Sequence, residues 1–279
     1  MSTTTYPIES NLVRSEVMSS SKLRHAYLTE AKYEILRALR APAFSIPFLL
    51  LPFALYILFG VLLAGSMSKG DPTVAKLMFV NWAVFGIMGP GMFGFGMFVA
   101  TEREQGLLKL KRALPMPPAA YLLSKLAMVM LFSAIVMSTL VFAGVVFGHP
   151  GLRPSQYLVL TLLDMVGSLP FGAVGLFIGT CASAKAAPAF ANLAYLPFMH
   201  LGGLFYPLPK SVQPLEFSSP AFYLDKLALR LIGAPSFDQL AMGATGPSSH
   251  GNPAIYVTVL VGVTVVFTAL AIRRLARVG

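Results

Sequence analysis

The sequence predicts an all-α membrane protein with six transmembrane helices, and two features of its composition and one of its patterning support this. Of its 279 residues, 56% are hydrophobic and only 11% are charged, whereas about a quarter of the residues of soluble domains are charged. The apolar residues are concentrated in six runs, each about long enough to cross ~30 Å of hydrocarbon. A chain of this kind has the lipid bilayer as its solvent.

The six runs define the predicted spans of a transmembrane domain that covers residues 42–279. The third and sixth runs are the clearest, the fourth contains Asp164, and the fifth is rich in Pro and Gly. The runs are Ile46–Gly65, Leu77–Ala100, Leu122–Phe147, Tyr157–Cys181, Pro188–Leu208 and Ala254–Ile272.

The Lys and Arg residues predict the orientation of these spans. If the N-terminus is cytoplasmic, 15 of the 21 basic residues lie in inner segments. Because cytoplasmic loops of membrane proteins carry an excess of Lys and Arg, we expect a multi-pass protein of the plasma (inner) membrane with both termini in the cytoplasm. The net charge of +10 therefore needs no nucleic acid to explain it.

The segment before the first span divides into two parts. Residues 1–21 are rich in Ser and Thr and are predicted to be disordered. Residues 22–41 show helical periodicity and precede Pro42, which ends a helix. The apolar face of this predicted helix consists of Leu28, Ala31, Ile35 and Leu39. Two interpretations stay open: an anchor on the membrane surface, or a docking surface for a cytoplasmic partner.

The inner loop between the second and third spans is the most informative polar segment. Thr101 and Glu104 have the spacing of a capping box, in which each side chain satisfies a free backbone N–H of the other residue. This predicts a short helix that begins at Thr101 and runs to about Ala113, before Pro115. It is either an ordinary loop helix whose charges fix the topology, or a lever that acts against another protein.

Several residues inside the predicted spans have both a structural and a functional interpretation. Asp164 is the only carboxylate within a span. We expect water to reach it, and it either bonds to a neighbouring helix or takes part in binding a proton or cation. Gly175 and Gly179 predict close helix packing. A flexible apolar surface in the second span either lines a pathway for hydrophobic cargo or packs in the core; it contains Met92, Phe93, Phe95 and Phe98.

Other function classes find little support in the sequence. No G-x-x-x-x-G-K-[ST] phosphate loop is present, so ATP would have to bind to another polypeptide. Four His and one Cys offer no metal-ligand spacing, and no serine has the setting of an intramembrane nucleophile. A secondary transporter driven by an ion gradient remains the alternative, although one Asp and no evident inverted repeat give it thin support.

Two motifs give the chain a recognisable pattern. The inner loop reads EREQGLLKLKRALPMPP from Glu102, and the segment after the fifth run reads GGLFYPLPKSVQPLEFSSPAFYLDKL from Gly202. With the N-terminal helix and six spans, these motifs resemble the ABC-2 type permeases, the membrane subunits of ATP-driven exporters. The resemblance covers about residues 25–275. Leu108 departs from it, because we expect a Thr there.

The resemblance implies roles for three parts of the chain. Residues 22–41 would be an interface helix, with Lys32, Glu34 and Arg37, and short re-entrant helices would follow the fifth span. The coupling helix would contact an ATPase subunit through Glu102, Arg103, Glu104, Gly106, Leu107 and Lys109.

The resemblance also implies the partners and the cargo. Two copies of a separate ABC ATPase would bind ATP and Mg, so that this chain is no enzyme and holds no cofactor itself. A second copy of the chain or a paralogue would complete the complex. Without a large outer domain, we expect export of a small hydrophobic or amphipathic compound, such as a drug, lipid or peptide.

Overall fold

The computed structural model describes residues 20–108, 110, 118–241 and 251–278, and this part of the chain is helical and without a strand. Within it, five helices are long and apolar enough to cross a membrane. This confirms the predicted all-α membrane fold, whereas the prediction of six spans is not confirmed.

The described helices are numbered here in chain order. We number them α1 (Ser20–Leu39), α2 (Pro42–Met67), α3 (Pro72–Glu104), α4 (Pro118–Ala143, continued by a π-helical segment, Gly144–Gly148), α5 (Pro154–Gly167), α6 (Leu169–Cys181), α7 (Ala187–Leu201), α8 (Pro220–Ile232), α9 (Phe237–Ala241) and α10 (Pro253–Val278). The candidate spans are α2, α3, α4, the α5–α6 pair and α10. A 3₁₀ helix, Gln213–Ser218, precedes α8.

The fifth predicted span is shorter than expected. It forms α7, which has 15 residues and ends at Leu201, and therefore rises only about 22 Å. Gly202 ends the helix and Gly203 adopts a positive φ of 67°; Pro207 and Pro209 follow within a few residues. The prediction that this helix continues to Leu208 is wrong, because such backbone geometry and proline spacing do not continue a helix.

The direction of the helices defines two ends of the bundle. α2 leads away from α1, α3 returns, α4 leads away again, and α5–α6 return. We call the end that carries α1, the α3–α4 loop and the α6–α7 turn the α1 end. The opposite end, which carries residues 202–241, 251 and 252, is called the far end.

The α1 helix lies against α4, and its contact face includes Ile35 of the predicted apolar face but not Leu28 or Leu39. Glu34 and Ala38 are buried in this contact, whereas Leu28 is 72% exposed and Leu39 is also exposed. The predicted helix is thus confirmed, but it packs through a face that contains a charged residue. Residues 1–19 of the predicted disordered tail lie outside the described residues.

The most deeply buried span is α3, which packs against α2, α4, α6 and α8. It crosses α6 where glycines of both helices meet. A Cβ atom added to Gly175 would lie 2.4 Å from the carbonyl oxygen of Met92, and one added to Gly179 would lie 2.5 Å from that of Gly96. The small residues of α6 therefore allow close packing within one chain, as the structural interpretation predicts.

Candidate functional site

The end of α3 carries three consecutive charged residues that face different neighbours. The helix continues without a break to Glu104, and the Thr101 hydroxyl donates to the Met97 carbonyl 2.8 Å away, inside the helix. The predicted capping box is therefore wrong, because no helix begins at Thr101. Glu102, Arg103 and Glu104 instead form the last turn of a membrane-spanning helix.

Glu102 is fully buried and lies at the centre of a network of charges from three helices. Lys125 of α4 donates from Nζ to Oε1 of Glu102 (2.7 Å) and to Oε2 of Glu34 on α1 (2.6 Å). The Tyr121 hydroxyl donates to Oε2 of Glu102 (2.8 Å). Arg37 of α1 also pairs with Glu102. Among the described residues, two carboxylates and two cations thus meet in this network, and such pairing is the condition under which buried charges are tolerated.

Phe98 of α3 covers this network. Its ring centre lies 5.1 Å from the Arg37 guanidinium carbon and 5.7 Å from Lys125 Nζ. Both distances are within the range in which the negative face of an aromatic ring attracts a cation. Phe98, which the sequence assigned to a possible cargo pathway, therefore lies beside a charge network.

Arg103 and Glu104 attach the end of α3 to the α6–α7 turn. The Arg103 guanidinium donates to the carbonyl oxygens of Thr180 and Ala182, the second at 2.6 Å. Oε1 of Glu104 accepts from the Ala184 backbone N–H at 2.9 Å. These bonds satisfy backbone groups that the end of α6 leaves without helical partners. The same turn of α3 is thus attached to α1 and α4 on one side and to the α6–α7 turn on the other.

A tight turn follows residues 102–104. Gly106 adopts a positive φ of 71°, a conformation that glycine reaches without steric cost. Leu107 and Leu108 continue in a helical conformation and are half-buried. Lys109 and residues 111–117 lie outside the described residues, so that the extent of the predicted helix to Ala113 stays a prediction.

The arrangement is suited to transmitting a displacement. A movement of the loop that begins at Gln105 would act directly on the last turn of α3. Glu102 would pass it to α1 and α4, and Arg103 and Glu104 would pass it to the α6–α7 turn. Charge-assisted hydrogen bonds of this kind are short and directional, so that the attached elements move with the turn.

Sequence reasoning missed two members of the network, Lys125 and Tyr121. Lys125 lies near the start of an apolar run, and it was counted only as a positive charge near the inner surface. Since a lysine within an apolar run of a membrane domain is expected to have a nearby carboxylate, its position in the sequence is a signal that could have identified it. Glu34 and Arg37 of the predicted interface helix belong to the network, whereas Lys32 is exposed.

The remaining predicted site residues lie in the interior. Met92 is buried in the core, and Phe93 packs against the rings of Phe48 and Tyr195. The Phe95 side chain lies outside the described part of the structure. Asp164 is only 1% exposed, so the expectation that water reaches it directly is wrong.

A separate apolar cavity of about 750 Å³ lies between α2, α3 and α7 near the far end. Its wall is mainly aromatic and aliphatic, and the polar side chains in it include His200, Tyr206 and Ser68. The apolar lining includes Phe59, Met78, Trp82, Phe85, Met199 and Phe205. A cavity of this size and composition is typical of sites for small hydrophobic molecules.

Comparison with known proteins places this architecture in a family. The model of the family described as ABC-2 type transporter matches residues 25–225. The protein named "Putative transport permease YvfS" of Bacillus subtilis (strain 168) is 24% identical to this chain over 212 residues, which cover 74% of this chain and 86% of the relative. The matched range contains both the charge network and the α6–α7 turn. The chain therefore belongs to the ABC-2 type transporter family.

Proposed function

We propose that this transporter permease is the membrane subunit of an ATP-driven exporter. Its cargo is a small hydrophobic or amphipathic compound, such as a drug, lipid or peptide, which leaves the cytoplasm. The α1 end faces the cytoplasm in this proposal, with both termini on that side of the plasma membrane. The double attachment of residues 102–104 is the observation that carries the proposal, since a loop driven by a partner needs such a connection to the spans.

The proposed partners follow from the family. ABC-2 permeases generally work with an ABC ATPase, and we propose two copies of such a subunit, each with ATP and Mg, beneath the α1 end. A second copy of this chain or a paralogue completes the complex. The loop after Gly106 is the proposed contact with the ATPase, because its attachment turn is the one that reaches both groups of helices.

The buried network gives Glu102 a role other than direct contact. Because Glu102 has no exposed surface, it serves in the proposed mechanism as the internal joint between α3, α1 and α4. Glu104 is exposed and accepts a hydrogen bond from the α6–α7 turn. Replacing it therefore separates the end of α3 from this turn without removing a buried charge.

Replacing Glu104 tests the coupling. Glu104→Ala removes the acceptor of the Ala184 N–H, whereas Glu104→Gln keeps an oxygen at that place. We expect the alanine variant to retain the ATPase on co-purification but to transport roughly tenfold less cargo per ATP hydrolysed, since a hydrogen bond to a charged group contributes about 1.5 kcal/mol. The glutamine variant should stay close to the unmodified protein. The measurement is transport and ATP hydrolysis in the same proteoliposomes.

Two outcomes would contradict the proposal. If the tagged chain recovers no ATPase, the proposed complex does not exist. If it transports cargo without ATP but with an imposed ion gradient, the secondary transporter, which the buried Asp164 favours, is the correct class. Equal transport per ATP in both Glu104 variants would reject the role of the attachment to the α6–α7 turn, but not the proposed complex with an ATPase.

The cavity between α2, α3 and α7 allows a direct test of the cargo class. Trp82 lines it and is the single tryptophan of the chain, so a brominated hydrophobic compound bound there should quench the protein's fluorescence. Val74→Phe fills part of the cavity and should weaken binding by about 1 kcal/mol, or roughly fivefold. Val159→Phe, on an exposed position of α5, is the matched control. Unchanged affinity in Val74→Phe would place the compound elsewhere.

A further inference from the structure

Asp164 is a buried carboxyl group without a counter-charge in the described structure. It lies on α5, ten residues after Pro154, and is 1% exposed. Neither of its carboxyl oxygens has a hydrogen-bond partner among the described residues. A carboxylate in this position would bear most of the cost of removing a charge from water.

Among the described residues of the helices packed around α5, Asp225 is the charged group that acts on Asp164. These helices are α3, α4, α6 and α8. Residues 77–98, 126–148 and 169–180 contain no Asp, Glu, Lys, Arg, His or Tyr. From α8, the charge of Asp225 acts on Asp164. α5 and α8 are in close contact nearby, because a Cβ atom on Gly167 would lie 2.4 Å from Leu224, the neighbour of Asp225.

Asp225 is as deeply buried as Asp164. It is 1% exposed, and its Oδ1 atom has no hydrogen-bond partner in the described part of the chain. Burial raises the pKa of Asp225 from its ordinary value to about 7, against the opposing effect of Lys226. Two acidic groups that are close together and shielded from water do not both ionise readily.

A cavity at the far end contains ionisable side chains in its wall, one of which is the neighbour of Asp225. It has a volume of about 460 Å³, and its lining includes Lys226, Asp238 and Glu216. Lys226 follows Asp225 on α8, and the charges of Lys226 and Asp238 both act on Asp225. Ionisable groups therefore continue from the cavity through α8 to Asp164 in the adjacent span.

We propose that Asp164 and Asp225 together bind one proton, in a site between α5 and α8 that exchanges, by way of Lys226, with the cavity at the far end. Protonation converts one carboxylate into a carboxyl group at the expense of one hydronium ion, which becomes water, and the bound form retains a single negative charge. The site does not depend on ATP as the energy source, and it gives the permease a group that responds to the pH on the side of the far end.

Infrared spectroscopy of the purified full-length chain in nanodiscs tests the proposal. At neutral pH, the unmodified protein should show the C=O band of a protonated carboxyl group, and this band should shift after transfer to D2O and disappear as the pH rises. Asp164→Asn and Asp225→Asn should each abolish or shift the band. Asp71→Asn is the control: Asp71 is exposed and caps α3 through the Thr73 N–H, a role that Asn also fills.

Three results would overturn the proposal. The first is a band that is the same in Asp164→Asn as in the unmodified protein. The second is a band that is insensitive to Asp225→Asn, which would leave Asp164 as an isolated buried acid. The third is a band that appears only when Na+ is replaced by choline, since the pair would then bind a metal cation in place of the proton. Asp164→Glu retains a carboxyl group, so a folded variant should show a shifted band. This variant therefore distinguishes loss of the proton site from loss of the fold.

Discussion

Two buried lysines, one at each end of the bundle, are held in very different ways. Lys125 has no exposed surface, and its Nζ atom lies 2.6 and 2.7 Å from the carboxylates of Glu34 and Glu102. Lys226 is 3% exposed, but its carboxylate partner Asp238 is 3.9 Å away. The first lysine is part of a tightly bonded network, whereas the second has a loose contact.

The difference extends to the balance of charge around each lysine. At the α1 end, Glu34 and Glu102 face Lys125 and Arg37, so that carboxylates and cations are equal in number among the described members of the network. At the far end, the buried Lys226 is near an excess of acidic groups, namely Asp225, Glu216 and Asp238. A balanced network fixes helices in place over a wide pH range, whereas an unbalanced one changes its charge with pH. We therefore expect rigid attachment at the α1 end and titration at the far end.

Replacing Lys125 should have the largest effect on stability. Lys125→Met keeps the length of the side chain but leaves two buried carboxylates with one cation fewer. Breaking a buried ion pair in this way costs about 3–5 kcal/mol, so we expect a marked loss of monodisperse protein on heating, followed by size-exclusion chromatography in detergent. Adding Glu34→Gln to Lys125→Met removes one charge of each sign and should restore part of the loss.

If Lys125→Met were as stable as the unmodified protein, the network at the α1 end would not depend on Lys125. Such a result would mean that water or a rearranged Arg37 compensates the carboxylates. An absence of rescue by Glu34→Gln would instead show that the cost comes from packing beneath Phe98, because the double variant removes the charge imbalance.

The pH dependence of stability should come mainly from the far end. Burial raises the pKa of Asp225 to about 7, above the ordinary value of about 3.9 that it has in the unfolded chain. The folded state then binds more protons than the unfolded state between these values, so its stability falls as the pH rises from about 4 to about 7. Unfolding measured across this range should show the decline, and Asp225→Asn should flatten it. A decline of equal size in Asp225→Asn would assign it to another group.

The sequence predicted the spans well, because an apolar run of about 20 residues has few alternatives to a helix in lipid. Pro188–Leu208 was the exception: composition alone does not reveal that the helix ends at Leu201, since prolines and glycines are also found within membrane helices. The sequence predicts close packing by the small residues of α6. It does not predict that they pack against the glycine-rich part of α3, because residue spacing within one helix does not identify the neighbouring helix.

The candidate site was predicted in its location but not in its geometry. The charged residues 102–104 were identified, yet the capping-box pattern placed a helix start where a long helix ends. Local sequence rules do not distinguish these cases, because Thr101 bonds equally well within a helix. The network requires Glu34, Glu102 and Lys125 to meet, and these residues are 91 and 23 positions apart in the two bonded pairs.

Replacing Lys226 should have the smallest effect and completes the comparison. Lys226→Met makes the same chemical change as Lys125→Met at a position of similar burial, so it is the matched control for that variant. We expect a smaller cost than for Lys125→Met, because the contact with Asp238 is long and the neighbouring acidic groups can take up protons once the cation is lost. The heating assay that measures Lys125→Met applies here, and the pKa of Asp225 should rise further, since Lys226 opposes the effect of burial. A loss as large as that of Lys125→Met would show that contact length does not separate the two ends, and that any buried lysine in this bundle is equally required.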